Sequence, residues 1–446
     1  MKITEVTSER VKDHYYTARH PSGLKIFVYP KAGSQSAYAV FGTKYGSIDT
    51  SFKRSDEQDA CEVPEGIAHF LEHKLFESED GDAFARYAKT GASANAYTSF
   101  DMTCYLFSCT ENFYDSLEIL LDFVQSPYFT EQTVKKEQGI IGQEIRMYDD
   151  DPQWRVMFNM LRGMYWNHPV RIDIAGTVES ISEITPELLY RCYHTFYNLN
   201  NMALCVAGNV DPDKVFAMVD RMLKPAEPIE IERIFRPEPP QVRETRVEEH
   251  LSVASPLFQL GFKEDVSGGR GDIRKIAETE LLLEILASES SPLFGSLLEQ
   301  GLINEASFSY EYFEGSGYAA VIFSGESKDP DAVAKAVREE ADRLRREGID
   351  PQAFERARKA LYGRNVAALN SAENIANSMI ALTFADRELF SYIDAIVGAK
   401  LEDVQKRLDT CLLPEYSTLS VVLPHEKAAE PDKELRKTQG EISHEL

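Results

Sequence analysis

A proline-rich stretch near the middle of the chain divides it into two parts of similar size. This stretch, KPAEPIEIERIFRPEPPQVRETR, runs from Lys224 to Arg246 and contains five prolines among alternating charges. Such a segment cannot continue a helix and suits an extended connector on the surface. A chain of 446 residues is also too long for one hydrophobic core. The sequence therefore predicts a first domain over 1–224, a linker over 225–246 and a second domain over 247–446.

The two halves carry a similar order of elements. From Cys104 and again from Ala319, the sequence indicates a strand, a turn, an amphipathic helix, a short break and a second helix. Phe107-Ser108 in the first copy aligns with Phe323-Ser324 in the second. This correspondence indicates an internal duplication.

Two of the nine histidines lie four residues apart in the segment GIAHFLEHKLFES, Gly66 to Ser78. Pro64-Glu65, just before it, suits the first turn of a helix. On that helix His69, Glu72 and His73 fall on one face. Two imidazoles one turn apart can bind one Zn²⁺, and a carboxylate between them can act as general base toward a water activated by the metal. This is the H-x-x-E-H pattern of inverted zincins.

A catalytic zinc needs a third protein ligand and an open coordination position. Glu137 and Glu144 lie seven residues apart in the segment Thr130–Asp151, hence on one helix face. Glu144 can bind the metal, and Glu137 can orient a ligand or the water. Gly139 and Gly142 weaken a helix interior, and close approach of another backbone would explain them. The competing interpretations are a surface helix carrying satisfied histidines and a solvated acidic helix face.

The second half lacks this set of residues. If the second helices of the two halves are superposed, Arg364 takes the place of Glu144. No H-x-x-E-H pattern occurs in residues 247–446. One half is therefore predicted to carry a site that the other lacks.

Five segments together resemble the insulinase/pitrilysin metallopeptidases, most closely the short processing-peptidase-like branch with two domains per chain. They are HFLEHKLF, GASANAYTSFDMTCYLFS, EQGIIGQEI, HPVRIDIAGTVESI and FYNLNNMALCVAGNVD. The resemblance covers the first half closely and the second half more loosely. It implies an α+β fold of two homologous α/β domains, each a mainly antiparallel sheet packed by helices.

The resemblance also implies a function, zinc-dependent cleavage of peptides or unfolded segments by an endopeptidase. One zinc ion per chain would be bound by His69, His73 and Glu144. The general base would be Glu72, with Glu137 as a second carboxylate of the catalytic group. The edge strand that holds the substrate would contain Asn95, Ala96 and Thr98. Family members enclose a chamber with four homologous domains, here supplied by two chains.

The chain departs from the family in its second half. Active members carry an Arg and a Tyr there that reach across the chamber to the scissile carbonyl. In the matching stretch, Ser291–Tyr310, Leu298 and Asn304 stand at these places. Neither side chain can supply a cation or a phenol to a developing oxyanion. We therefore expect a homologous partner subunit that lacks zinc ligands but keeps Arg and Tyr, with a homodimer as the second choice. The alternative function is a non-catalytic peptide-binding or structural subunit with a residual metal site.

Net charge, apolar runs and cysteine content limit which functions and which cellular compartment the sequence predicts. A net charge of −25 disfavours binding to nucleic acid or to anionic membranes. No run approaches the roughly 18 apolar residues of a membrane span, and the N-terminal stretch lacks the apolar core of a signal peptide. The six cysteines are scattered and read as reduced thiols. We therefore expect a cytoplasmic protein.

Overall fold

The computed structural model describes residues 1–79, 81–224, 227–266 and 271–425. The strands of the first half and the linker are β1 (Ile3–Ser8), β2 (Asp13–Arg19), β3 (Lys25–Pro30), β4 (Ala37–Thr43), β5 (Ser51–Arg54), β6 (Cys61–Glu62), β7 (Glu77–Ser78), β8 (Gly81–Asp82), β9 (Ser93–Thr98), β10 (Thr103–Cys109), β11 (Met202–Gly208) and β12 (Ile231–Arg233). The helices are α1 (Ile67–Leu75), α2 (Ala83–Thr90), α3 (Phe113–Phe123), α4 (Glu131–Asp149), α5 (Pro152–Met164), α6 (Val178–Ser182), α7 (Pro186–Phe196) and α8 (Pro212–Met222).

The second half repeats the alternation of strands and helices. Its strands are β13 (Arg246–Leu251), β14 (Leu257–Lys263), β15 (Ser309–Gly315), β16 (Tyr318–Glu326) and β17 (Ser417–Pro424). Its helices are α9 (Ile273–Ala287), α10 (Pro292–Glu299), α11 (Pro330–Glu347), α12 (Pro351–Ala368), α13 (Ala372–Phe384), α14 (Leu389–Gly398) and α15 (Leu401–Arg407).

Five strands of the seven-stranded first sheet repeat the topology of the five-stranded second sheet. The first has the order β1-β2-β3-β11-β4-β10-β9, and the second has the order β13-β17-β14-β16-β15. The pairs β3–β11 and β13–β17 are parallel, and all other neighbours in these two sheets are antiparallel. Strands β10 and β16, which begin the two predicted copies, therefore occupy the same place in their sheets. The predicted duplication and the mainly antiparallel α+β fold are confirmed.

Each main sheet is covered on one face by a helix from the other half. Helix α5 of the first half packs on β14 and β17, and α13 of the second half packs on β4 and β11. A glycine makes room at each contact. A Cβ on Gly261 of β14 would lie 2.3 Å from the Met164 methyl, and one on Gly42 of β4 would lie 2.9 Å from Cγ2 of Ile380. Residues of β4 and β11 point alternately into the core of the first half and into the cluster that contains α13. Because both faces are covered, β4 and β11 are buried along their whole length.

The linker is fixed to both halves. Strand β12 pairs with β5 of the first half. The carboxylate of Glu238 accepts the backbone N–H groups of residues 166–168, and its Oε1 lies 2.6 Å from Lys263 Nζ on β14. The division into domains at 224 and 247 stays a prediction, and residues 225–226 and 426–446 lie outside the described part of the chain.

The segment Ile273–Glu299 is apolar and long enough to meet a composition test for a membrane span. It is divided into α9 and α10, and most of it is buried inside the protein. The core of the second half thus accounts for its apolar character.

Candidate metal centre

The residue that precedes helix α1 is a glycine that the fold requires. Gly66 has φ 85° and ψ −5°, in the left-handed region that glycine adopts most easily. A Cβ at this position would also lie 2.3 Å from the Ala175 carbonyl oxygen. Since this backbone conformation interrupts helical geometry, α1 starts at Ile67. The prediction that Pro64-Glu65 forms its first turn is wrong.

Helix α1 lies in the core, so the interpretation of this segment as a surface helix is wrong. All of its residues except His73 are buried. His69, Glu72 and His73 nevertheless share one face, and the two imidazole centroids lie 4.5 Å apart. Burying the ionisable groups of His69 and Glu72 beside the partly buried His73 costs free energy unless they bind partners, so their placement indicates a site.

Helix α4 brings the third candidate ligand to this face. His69 Nε2 lies 3.7 Å from Glu144 Oε1, and His73 Nε2 lies 3.6 Å from Glu144 Oε2. Ligand atoms of the three residues all lie within 4.8 Å of one another. Glu137, which lies on the same face of α4 as Glu144, is 6% exposed. The interpretation of this part of α4 as a solvated acidic face is therefore wrong.

The distances from the two imidazoles to the Glu144 carboxylate fit zinc. Ligand atoms about 2.0–2.2 Å from a tetrahedral zinc ion lie about 3.3–3.6 Å from one another. The two nitrogen–oxygen distances of 3.6 and 3.7 Å are close to this spacing and too long for good hydrogen bonds. Two imidazoles and a carboxylate also form a common donor set of catalytic zinc sites.

Glu137 orients one of the imidazoles. Its Oε1 lies 3.1 Å from His73 Nδ1, so an Nδ1–H donor leaves the Nε2 lone pair directed toward Glu144. His69 Nδ1 is buried and has no hydrogen-bond partner among the described residues. Burial, with a contribution from the His73 charge, lowers the pKa of His69 to about 3, which favours a neutral ring. Burial also lowers the pKa of His73, but the bond to Glu137 and nearby carboxylates outweigh it and raise that pKa.

Glu72 is held by a residue of the edge strand. The Thr98 hydroxyl donates to Glu72 Oε2 at 2.8 Å, which leaves Oε1 for another partner. Burial raises the pKa of Glu72 to about 7, although the charge of His73 and the Thr98 hydrogen bond act in the opposite direction. Thr98, predicted to contact substrate, thus has a contact with the candidate base that the sequence did not indicate.

Strand β9, with Asn95, Ala96 and Thr98, lies at the edge of the seven-stranded sheet. Within the described chain it pairs only with β10, so its outer edge faces no other strand. Asn95 is exposed, and its Oδ1 accepts the Ala96 N–H. The role of these residues in substrate binding stays a prediction.

The two glycines of α4 have a different setting from the predicted one. A Cβ built on Gly139 or Gly142 would meet no atom within 4 Å, apart from the local helix backbone and chain neighbours. No other backbone approaches them, so the prediction of a close approach is wrong. Both positions border open space.

Sequence reasoning missed one neighbour of the centre. The Tyr148 hydroxyl donates to Glu144 Oε1 at 2.8 Å, and its ring stacks on Trp154. The available signal was the spacing of Glu144 and Tyr148, one helical turn apart on α4.

The two residues at the expected Arg and Tyr places lie in and after α10. Leu298 lies 40% exposed on α10. Asn304 follows that helix, and its Oδ1 accepts the Ala306 N–H.

Two family models match the chain. The model Insulinase (Peptidase family M16) matches residues 59–178, and the model Peptidase M16 inactive domain matches residues 183–361. The first match contains every candidate site residue, and the second begins in the first half at residue 183 and ends at residue 361, before Arg364.

Similar proteins span more than nine-tenths of the chain. The uncharacterized zinc protease YmfH of Bacillus subtilis (strain 168) is 43% identical over 429 residues, which are 95% of this chain and 99% of that protein. The crystal structure of an M16-like peptidase from Alicyclobacillus acidocaldarius has a TM-score of 0.87 at 37% identity and covers 92% of this chain and 98% of its own. Pitrilysin shares the fold, with a TM-score of 0.72 at 17% identity, over 95% of this chain and 47% of its own. The chain belongs to the insulinase (M16) family of peptidases.

Proposed function

We propose that the chain is a zinc-dependent endopeptidase with one zinc ion bound by His69, His73 and Glu144. The observation that carries the proposal is the convergence of these three donors beside the buried carboxylate of Glu72. The family supports a peptidase, and the name of the Bacillus relative supports zinc as the metal.

The residues around the metal divide the chemical work. Zinc, when bound, supplies a Lewis acid that polarises the scissile carbonyl and acidifies water. Glu72 accepts the proton of the attacking water at Oε1, because Thr98 occupies Oε2. A carboxyl with a pKa of about 7 can also return this proton to the leaving amine at neutral pH. Glu137 keeps the His73 ring in place through Nδ1.

The open edge of β9 supports peptides or unfolded segments as substrates. A substrate in extended form can add to this edge as one more strand, through main-chain hydrogen bonds that make little demand on sequence. Asn95, Ala96 and Thr98 would then lie beside the bond to be cleaved.

We also propose that a homologous partner completes the active site. Leu298 and Asn304 lack the cation and the phenol expected there, and this supports a heterodimer in preference to a homodimer. The chain aligns with 47% of the length of pitrilysin, which supports an assembly of two such chains in place of one longer chain. The six free cysteines support the proposal of a cytoplasmic location.

Hydrolysis of a quenched-peptide library by the purified, zinc-loaded chain tests the proposal, with Glu72→Gln as the blank. Glu118→Gln, on the exposed side of α3, is the matched control and should retain whatever activity the chain has. Cleavage above the blank by the chain alone would establish the peptidase and refute the need for a partner. Cleavage only after a homologous subunit with Arg and Tyr is added would support the heterodimer. Zinc without cleavage, even beside that subunit, would refute the enzyme in favour of a peptide-binding subunit.

A further inference from the structure

We propose that Tyr148 is a positioning residue of the metal centre, whose hydroxyl orients the Glu144 carboxylate and is itself held by Trp154 and Asp173. The proposal rests on the ligand role assigned to Glu144 under the proposed function. It concerns residues outside the H-x-x-E-H segment and the Glu137–Glu144 pair.

The contact with Glu144 acts directly on a metal-facing group. The Tyr148 hydroxyl donates to Oε1 at 2.8 Å, and the same oxygen lies 3.7 Å from His69 Nε2. The other oxygen faces His73 Nε2 at 3.6 Å. A hydrogen bond that fixes one carboxylate oxygen also restricts rotation of the group, and so fixes which oxygen faces which imidazole.

The phenol is held in turn by an aromatic stack. The Tyr148 ring lies on the Trp154 indole with centroids 4.5 Å apart and planes 17° from parallel. The indole N–H donates to the Asp173 carboxylate, whose other oxygen accepts the Ala175 N–H at 3.0 Å. This succession of contacts limits the rotamers open to the phenol, since each member is anchored on a different element.

The contacts return to the helix that carries the histidines. Ala175 and Gly176, next to Asp173, pack against the start of α1, where a Cβ on Gly66 would lie 2.3 Å from the Ala175 carbonyl oxygen. Tyr148 therefore connects the third ligand on α4 to the same loop that supports the first turn of α1. The loop thus lies directly against the start of α1 and is connected to α4 through Trp154 and Tyr148.

The second half offers a matched control for the Tyr148 hydroxyl. There Tyr310 donates to a carboxylate of Glu284 at 2.9 Å, in a pair with Arg364. Tyr310→Phe removes the same kind of bond as Tyr148→Phe, in a half without the histidines. The two variants differ in whether the carboxylate they release faces a metal.

The test measures zinc affinity by competition with a chelator, together with the visible spectrum of the cobalt-substituted protein. We expect Tyr148→Phe, which keeps the ring on Trp154, to weaken zinc binding by about 10- to 100-fold. It should also change the cobalt bands. Tyr310→Phe should change neither. Trp154→Phe, which loses the N–H to Asp173 and part of the ring area but keeps an aromatic ring beside Tyr148, should weaken zinc binding to a smaller extent.

Three outcomes separate this inference from the proposed function. If the wild-type chain binds no zinc, the proposed function and this inference both fail. If the wild type binds zinc and Tyr148→Phe matches it within about twofold, with an unchanged cobalt spectrum, only the role of Tyr148 is refuted. If Tyr148→Phe fails to fold, the decision passes to Trp154→Phe, and an unaltered zinc affinity in that folded variant refutes the positioning role.

Discussion

The two halves place different side chains at the corresponding helix contact: two imidazoles and a carboxylate in the first half, and an arginine paired with a carboxylate in the second. In the first half His69 and His73 on α1 face Glu144 on α4, at distances too long for hydrogen bonds. In the second half α9 and α12 occupy the corresponding positions, and the buried Glu284 meets Arg364 at 2.5 Å. The duplicated fold therefore holds an ion pair in one copy and three converging ligand atoms in the other.

The difference shows how a site can be told from a structural pair. Glu284 is satisfied within the chain, since Arg364 and Tyr310 both bind its carboxylate. The three donors of the first half do not satisfy one another, and they leave a place for a cation. The comparison thus identifies a candidate metal site by what the side chains lack, and the first three of the four experiments that follow test it.

Glu144→Arg makes the first half resemble the second, and should have the largest effect. It removes a ligand and places a cation among the imidazoles, so we expect loss of stoichiometric zinc, measured by metal analysis after dialysis. Glu131→Arg, at the exposed start of the same helix, should retain zinc. A Glu144→Arg protein that still holds one zinc per chain would remove Glu144 from the ligand set.

Glu72→Gln separates metal binding from catalysis. Because Gln is isosteric and can still accept the Thr98 hydroxyl, zinc content should be unchanged. Turnover of a cleaved peptide should fall by about 10²- to 10⁴-fold, the usual contribution of a general base. Measured kcat and zinc content decide this together, and a variant that keeps wild-type kcat would assign proton transfer to another group.

Glu137→Gln tests whether the charge of the carboxylate beside His73 contributes to metal binding in the first half. Gln can accept from His73 Nδ1 but carries no charge to raise the basicity of the ring, so zinc affinity should fall by about 10-fold. Competition with a chelator measures the change. Glu284→Gln in the second half serves as the control, since its carboxylate faces Arg364, and an equal loss in both variants would contradict a local effect.

Gly139→Ala should have the smallest effect, in the stabilising direction. A Cβ at this position meets no neighbour within 4 Å, so the substitution should raise helix stability by up to about 1 kcal/mol. Urea unfolding measures the gain. Gly66→Ala is the contrasting variant and should be destabilised, because its Cβ would meet the Ala175 carbonyl. A loss of stability in Gly139→Ala would mean that the helix interior needs this glycine.

Local spacing made much of the site predictable. The positions of His69, Glu72 and His73 on one face follow from helical periodicity, and the spacing of Glu137 and Glu144 follows from the same rule. Which atoms would surround these residues depends on contacts far apart in sequence. The pairing of Trp154 with Asp173 and the open space beside Gly139 were therefore not predictable. The start of α1 was mispredicted because the sequence shows neither the left-handed backbone of Gly66 nor the close approach of Ala175 to it.

The exchange of α5 and α13 between the halves has a practical consequence for anyone who wishes to dissect the protein. A fragment that ends at the proline-rich linker would keep all candidate zinc ligands but lose the helix that covers β4 and β11. Its sheet would expose a broad apolar surface, and α5 would project without a sheet to pack on. Such a fragment should aggregate unless the complementary fragment is supplied. Co-expression of the two pieces, and not truncation to a minimal catalytic unit, is the route by which this chain can be divided.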